Sequence, residues 1–228
     1  HVTGLNPGTT YHFRLEASSS AGTTLGKDAH FTTLPRLTIA AHPAPVVFGS
    51  TTTITGQLQS GGNGGRTVEL QANPYPYSGF ATVATTTTDT AGHYSFASVK
   101  PTVNTRYRTV VKTPSATSAV VKVGVRIRLG RRASDTTPAK GDKVTFSGFA
   151  CPAHNGAVVA LQRHTSTGTW ETVARTNLVQ AATGALCANR SSYHVTVRTF
   201  HNRTFRAVAE HDADHLRGIS RPIGIVVH

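Results

Sequence analysis

The chain has 228 residues, with 23 Lys+Arg against 10 Asp+Glu for a formal net charge of +13, and it contains no methionine. That length holds two complete β-sandwiches of about 100 residues each and leaves a remainder too short for a third. Charged residues make up only 14% and aromatic residues 7%, while Thr, Ala, Val and Gly abound, a composition that favours many short strands over helices and disfavours a nucleic-acid binder.

The first element in chain order is the run Thr10 to Ser18. Tyr11, Phe13, Leu15 and Ala17 fall on one face and His12, Arg14, Glu16 and Ser18 on the other, the period of a half-buried strand whose apolar face is core. Leu5-Asn6-Pro7-Gly8-Thr9-Thr10-Tyr11 precedes it, and Ser20-Ala21-Gly22 leads on to Phe31-Thr32-Thr33. These residues resemble the last two strands of a fibronectin type III domain, with its L-x-P-G-T-x-Y corner, S-x-x-G turn and closing F-x-T strand. The resemblance implies a Tyr11 hydroxyl bonded to backbone upstream of it. It covers only residues 1–35, and two strands alone cannot bury their faces or pair their edges. Two readings stay open: the segment begins partway through a domain, or the hairpin docks on a neighbouring domain or chain by strand addition, which would make the protein a polymer.

From residue 37 onward the chain repeats. Gly49 to Gly56 matches Gly141 to Gly148, Val68-Glu-Leu-Gln71 matches Val159-Ala-Leu-Gln162, and Phe80-Ala-Thr-Val-Ala84 matches Trp170-Glu-Thr-Val-Ala174. Further along, Tyr94 matches Tyr193, and Asn104 to Val110 matches Asn202 to Val208. The offset jumps between Trp170 and Tyr193, so the second copy carries an insertion there, and Cys187 lies inside it. Each copy contains short period-two runs separated by Gly, Pro, Asn and Ser clusters, the pattern of an antiparallel sandwich. Val68, Leu70, Tyr94, Phe96 and Tyr107 are the expected core of the first copy, with Val159, Leu161, Val195 and Phe205 as their counterparts.

The stretch from Thr53-Ile-Thr-Gly56 to Arg108, and above all Thr88-Asp-Thr-Ala-Gly92-His-Tyr94-Ser-Phe96, resembles a bacterial immunoglobulin-like repeat of secreted and surface proteins. The second copy lacks the Asp and Gly of that turn, having Leu186-Cys187-Ala188-Asn189 instead, and is assigned by its likeness to the first. The expected fold is therefore all-β, tandem antiparallel immunoglobulin-like sandwiches over residues 36–125 and 126–228, with a partial fibronectin type III hairpin over residues 1–35.

Cys151 and Cys187 are the two cysteines. In a secreted chain they read as a disulfide closing the loop, worth about 3 to 4 kcal/mol on the entropic model, and in a cytosolic one as two buried thiols. The disulfide is the preferred reading, with Cys187 of the insertion tied to Cys151.

The candidate sites are sparse. Glu210-His211-Asp212-Ala213-Asp214-His215 is the one dense run of ligand-type side chains, but it matches neither an EF-hand loop nor a zinc motif. His211, Asp212, Asp214 and His215 are kept as candidate metal ligands beside the plainer reading of a solvated turn, and no metal or other cofactor is expected. Tyr75, Tyr77 and Phe80 gather in one loop and suit either a sugar-stacking platform or a cap on the end of a sandwich. Arg126, Arg128, Arg131 and Arg132 crowd the junction of the copies, as a polyanion site or as hydrated charge. His1 invites comparison with N-terminal-His copper sites, but no partner motif comes after it. Asn189-Arg-Ser191 and Asn202-Arg-Thr204 match the short glycosylation sequon.

Catalysis finds no support. Cys151-Pro-Ala-His154 sets a thiol near an imidazole, but a disulfide-bonded Cys is no nucleophile, and paired carboxylates, G-x-S-x-G, P-loop and H-E-x-x-H patterns are missing. The chain has no run long enough to span a bilayer and no signal peptide, and without Met it reads as a mature or partial segment. The expected role is a non-catalytic extracellular or cell-surface stalk, envelope or filament component. Its expected partners are other copies of itself, acidic cell-envelope polymers or polysaccharide, and not nucleic acid. The rival role is a polysaccharide- or protein-binding module of a larger secreted protein.

Overall fold

The computed structural model describes residues 2–185 and 187–228, and every regular element within them is a β-strand. His1, and with it the copper comparison, lies outside the described residues, as does Leu186.

Four short strands open the chain: β1 (Thr10–Phe13), β2 (Glu16–Ser19), β3 (Gly22–Leu25) and β4 (Ala29–Thr32). β1 pairs with β4 and β2 with β3, both antiparallel. The Asn6 N–H donates to the Tyr11 hydroxyl at 2.8 Å and the Thr33 hydroxyl donates to the Asn6 carbonyl at 2.6 Å, so the tyrosine corner is formed. The expected core face is not. The run breaks at Arg14 and Leu15, where the Gly26 N–H donates to the Leu15 carbonyl, and Phe13, Leu15, Leu25 and Phe31 are exposed. Alternation sets the side on which apolar groups emerge, but burial needs a second layer over them, and among the described residues no sheet lies there. Tyr11 and Phe13 instead shelter against Phe31, with ring centroids 5.8 and 6.2 Å away. A backbone hydrogen bond joins this segment to the loop after residue 59, the Gly61 N–H donating to the Gly8 carbonyl at 3.0 Å.

The first sandwich comprises β5 (Arg36–Leu37), β6 (Ala40–His42), β7 (Val46–Val47), β8 (Thr52–Gln59), β9 (Thr67–Pro74), β10 (Ala81–Thr87), β11 (His93–Val99), β12 (Thr105–Val111), β13 (Ala116–Thr117) and β14 (Val121–Val123). One sheet runs β10-β9-β12, with β13 and β14 sharing the far edge of β12; the other runs β11-β8, with β5 and β6 on the far edge of β8. Ile54, Leu58, Val68, Leu70, Tyr94, Phe96 and Tyr107 fill the space between them, so the expected core residues are all in place. Each such side chain contributes roughly 1.5 to 3 kcal/mol on full burial. The turn before β11 is built by Asp89, whose carboxylate accepts the N–H groups of Ala91 at 2.9 Å and His93 at 2.8 Å, while Gly92 supplies a φ of +86°. The His93 N–H, above all, holds that carboxyl below its ordinary pKa.

The second part comprises β15 (Val125–Arg126), β16 (Arg128–Leu129), β17 (Arg132–Ala133), β18 (Lys143–Cys151), β19 (Val158–His164), β20 (Trp170–Asn177), β21 (Val179–Ala181), β22 (Arg190–Arg198), β23 (Arg203–Ala209), β24 (Gly218–Ile219) and β25 (Ile223–Ile225). Its sheets are β18-β22-β21, with β16 and β17 on β18, and β20-β19-β23, with β24 and β25 on β23. Val159, Leu161, Val195 and Phe205 are buried between them. The insertion expected after Trp170 forms β21, an extra edge strand on β22, and a loop held by the Cys151–Cys187 disulfide.

Two devices recur in both copies and explain why their residues repeat. Tyr94 donates to the Thr38 carbonyl across Gly56, and Tyr193 donates to the Gly130 carbonyl at 2.9 Å across Gly148. Burial, the dominant cause, pushes both phenols above their usual pKa, so both hydroxyls stay protonated and can donate. On the sheet surface, Arg108 donates to Gln71 at 2.8 Å and stacks on Phe80 at 4.3 Å. In the second copy Arg206 donates to Gln162 at 2.9 Å and stacks on Trp170 at 4.1 Å. Arg206→Lys keeps the charge but not the planar stack, and we expect it to cost about 0.5 to 1 kcal/mol in urea unfolding monitored by Trp170 fluorescence.

β7 and β15 pair in parallel, Val125 opposite Val46 and Arg126 opposite Val47. A similar pairing closes the second sandwich, where Val226 and His228 donate to the Thr136 and Pro138 carbonyls and Lys140 donates to the His228 carbonyl.

Candidate functional site

The chain passes from one sandwich to the next without a free linker. β15 continues from the first sandwich into the second, and it is bonded on both sides: Phe48 donates to Arg126 at 2.9 Å, Leu216 to Val125 at 2.7 Å, and Ile127 to Leu216 at 3.0 Å. Asn104 staples the junction. Its N–H donates to the Asp214 carbonyl at 2.8 Å, its side-chain amide to the Ala213 carbonyl at 3.4 Å, and its side-chain carbonyl accepts the Val125 N–H at 2.9 Å. Leu216 fills the space over Gly124 beside Pro45.

Against this junction the second sandwich presents two loops. The one after β18 carries His154, whose N–H donates to Ser191 at 2.8 Å, and the one after β23 carries Asp212, Asp214 and His215 in a turn closed by the His215 N–H on the Asp212 carboxylate at 2.8 Å. One ligand-type atom from each of these four residues lies within 4.8 Å of the others. His154 Nε2 is 2.9 Å from Asp212 Oδ2, and His215 Nδ1 is 3.0 Å from Asp214 Oδ1. The imidazoles meet edge to face, 5.0 Å between centroids.

The second nitrogen of each ring is tied to a backbone carbonyl, His154 Nδ1 to Pro152 at 2.8 Å and His215 Nε2 to Thr102 of the first sandwich at 2.8 Å. A carbonyl oxygen only accepts, so those nitrogens carry the protons, and in the neutral rings His154 Nε2 and His215 Nδ1 bear lone pairs. His215 is 1% exposed, and its Nδ1, despite its distance from Asp214, is too far off line for a hydrogen bond and has no partner. Burial raises the pKa of Asp214, but its polar neighbours Asp212, His215 and His154 outweigh it and leave the carboxyl below its ordinary value.

Of the four metal candidates read from the sequence, three converge here. His211 does not and stays exposed, its side chain outside the turn that holds the others. His154 was missed as a ligand. The one signal for it was its place three residues after Cys151, because the disulfide that fixes Cys151 also anchors the loop holding the ring.

No protein-family model matches this chain, and no curated protein does. Among solved structures the chain is similar to a tetra-tandem repeat in the extending region of a large adhesion protein, at 17% identity over 97% of this chain and 57% of that one, with a TM-score of 0.35. It is also similar to the ectodomain of the teleost fish polymeric Ig receptor, at 10% identity over 84% of this chain and 98% of that one, again with a TM-score of 0.35. The chain thus spans little more than half of the adhesion-repeat structure. At these values no role passes from either neighbour to this chain.

The other sequence candidates are placed apart from this cluster. Tyr75 and Tyr77 meet edge to face at 5.6 Å, Arg106 stacks on Tyr77 at 4.0 Å, and Arg108 stacks on Phe80, so arginines already cover a face of two of the three rings. Of the four junction arginines, Arg128 donates to the Phe48 carbonyl at 2.8 Å and to Ser50 at 3.3 Å, and Arg131 donates to the Pro222 carbonyl at 2.8 Å. Arg126 and Arg132 are exposed. In the sequons, Ser191 is buried and bonded to Asn155 at 2.7 Å, and Asn202 accepts the Val227 N–H at 2.7 Å.

Proposed function

We propose that this chain is a non-catalytic structural or adhesive segment of an extracellular protein, a stiff pair of sandwiches that holds other parts away from a surface. The observation that carries the reading is the welded junction, in which Arg128, Asn104 and β15 bond the two sandwiches without a flexible linker. The disulfide agrees with an oxidising compartment outside the cytosol. The net charge of +13 favours acidic envelope polymers as neighbours. In this reading the N-terminal strands are the end of a fibronectin type III module, and their exposed apolar side chains, Phe13, Leu15, Leu25 and Phe31, dock on a further copy, building a fibre.

Spin labels on β10 and β20 test the stiffness. A single narrow distance distribution is expected, broadened by Arg128→Ala with each sandwich still folded; a broad distribution in the unaltered chain defeats the spacer reading. Sedimentation at rising concentration tests the fibre separately, since a chain that stays monomeric removes assembly and leaves the stiff spacer intact. The polysaccharide-binding alternative requires glycan retention that Tyr75→Ala abolishes.

A further inference from the structure

We propose that His154 Nε2, His215 Nδ1 and a carboxylate oxygen from each of Asp212 and Asp214 bind a divalent first-row transition ion of the zinc type. Two independent observations meet here. The four ligand atoms lie within 4.8 Å of one another, a spread that small side-chain rotations contract to a four-coordinate shell with bonds of about 2.0 to 2.2 Å. Separately, the fully buried His215 Nδ1 is aimed into the cluster with no hydrogen-bond partner.

The hydrogen bonding around the site is that of ligated imidazoles. In metal sites the ring nitrogen away from the metal donates to a carbonyl or carboxylate, which fixes the tautomer and turns the lone pair inward. Both rings do this, through Pro152 and Thr102. The result in a neutral cluster is two nitrogens bearing lone pairs within 2.9 and 3.0 Å of two anionic carboxylates, acceptor beside acceptor. A cation at the centre replaces both repulsions with attractions. The donor set also selects the ion: two imidazoles with two carboxylates suit zinc, cobalt or copper, whereas calcium and magnesium take oxygen shells. All four ligands come from the second sandwich, while Thr102, which orients His215, belongs to the first, so the ion binds at the seam and its hold on His215 depends on both.

The test uses the full chain, stripped with chelator and titrated with Co2+ and then Zn2+. One equivalent of Co2+ giving the intense visible bands of four-coordinate geometry, displaced by Zn2+, is expected. Asp212→Asn with Asp214→Asn should weaken binding by more than the roughly 10- to 100-fold typical for loss of a supporting partner. His211→Ala, which alters the exposed neighbour, should leave it unchanged. Unaltered Trp170 fluorescence in both variants shows that the sandwich still folds. Absence of a saturable site, binding that survives the double Asp substitution, or binding of Ca2+ in preference to Zn2+ overturns the proposal. So does nitrogen NMR showing His154 and His215 protonated on both ring nitrogens before and after Zn2+ is added.

Discussion

Gly148→Ala is expected to destabilise the second sandwich by about 3 kcal/mol or more, among the largest effects of any single methyl addition in the chain. A Cβ at that position falls inside the contact distance of the Gly130 carbonyl oxygen and carbon and against the Tyr193 ring. Two of those atoms are backbone, so no side-chain rotation relieves the clash. The strand segment carrying Gly130 has to move off β18, and the hydrogen bond from Tyr193 to Gly130, made at 2.9 Å, goes with it. That leaves a buried phenol hydroxyl unpaired, which adds about 1 to 3 kcal/mol of its own. The readout is built in, because Trp170 is the only tryptophan and sits in the second sandwich, so its fluorescence in urea reports on that sandwich. Gly224→Ala is the control: no atom stands within 4 Å of its added Cβ, and its effect should stay within about 0.5 kcal/mol. A Gly148→Ala midpoint no lower than that of Gly224→Ala refutes the close-approach argument.

Replacing both Cys151 and Cys187 by Ser should cost the same sandwich about 4 kcal/mol, the loop-closure entropy returned to the unfolded chain by a bridge spanning 36 residues. The loss should appear in the Trp170 transition and not in the unfolding of the first sandwich, whose core residues Ile54, Leu58 and Leu70 share no contact layer with the bridge. A second consequence separates this from a generic packing defect. Cys151 opens the loop that presents His154, so the double substitution should also weaken binding at the junction cluster, while a core change such as Val195→Ala should lower stability and leave the cluster intact.

Much of this architecture could be read before any coordinates. Period-two burial is a local property, so β12 shows Thr105, Tyr107, Thr109 and Val111 inward, as its spelling implies. The matched positions also had a physical content that spacing alone did not reveal: Gln71, Phe80 and Arg108, with Gln162, Trp170 and Arg206, are one stacked device made twice. What escaped was non-local. β7 and β15 are two residues each, too short for any periodicity, yet their pairing closes the first sandwich where the chain crosses into the second. His154 and the Asp212 to His215 turn lie on loops far apart in sequence, and only the antiparallel pairing of β19 with β23 brings their loops to one end of the fold. The N-terminal strands failed for the converse reason. Their alternation was read as one strand, whereas the run breaks at Arg14 and Leu15, and covering Phe13 and Leu15 requires a layer that the pattern cannot supply.

The parallel pairing of β7 with β15 has a mechanical consequence. Tension applied along the chain pulls β7 from the side of residue 36 and β15 from the side of the second sandwich, so the two strands slide past each other lengthwise. Their bonds are then loaded together in shear, and cannot be peeled apart one after another as at the end of a hairpin. The contact of residues 226–228 with 136–140 repeats this arrangement in the second sandwich, giving each unit its own clamp against stretching.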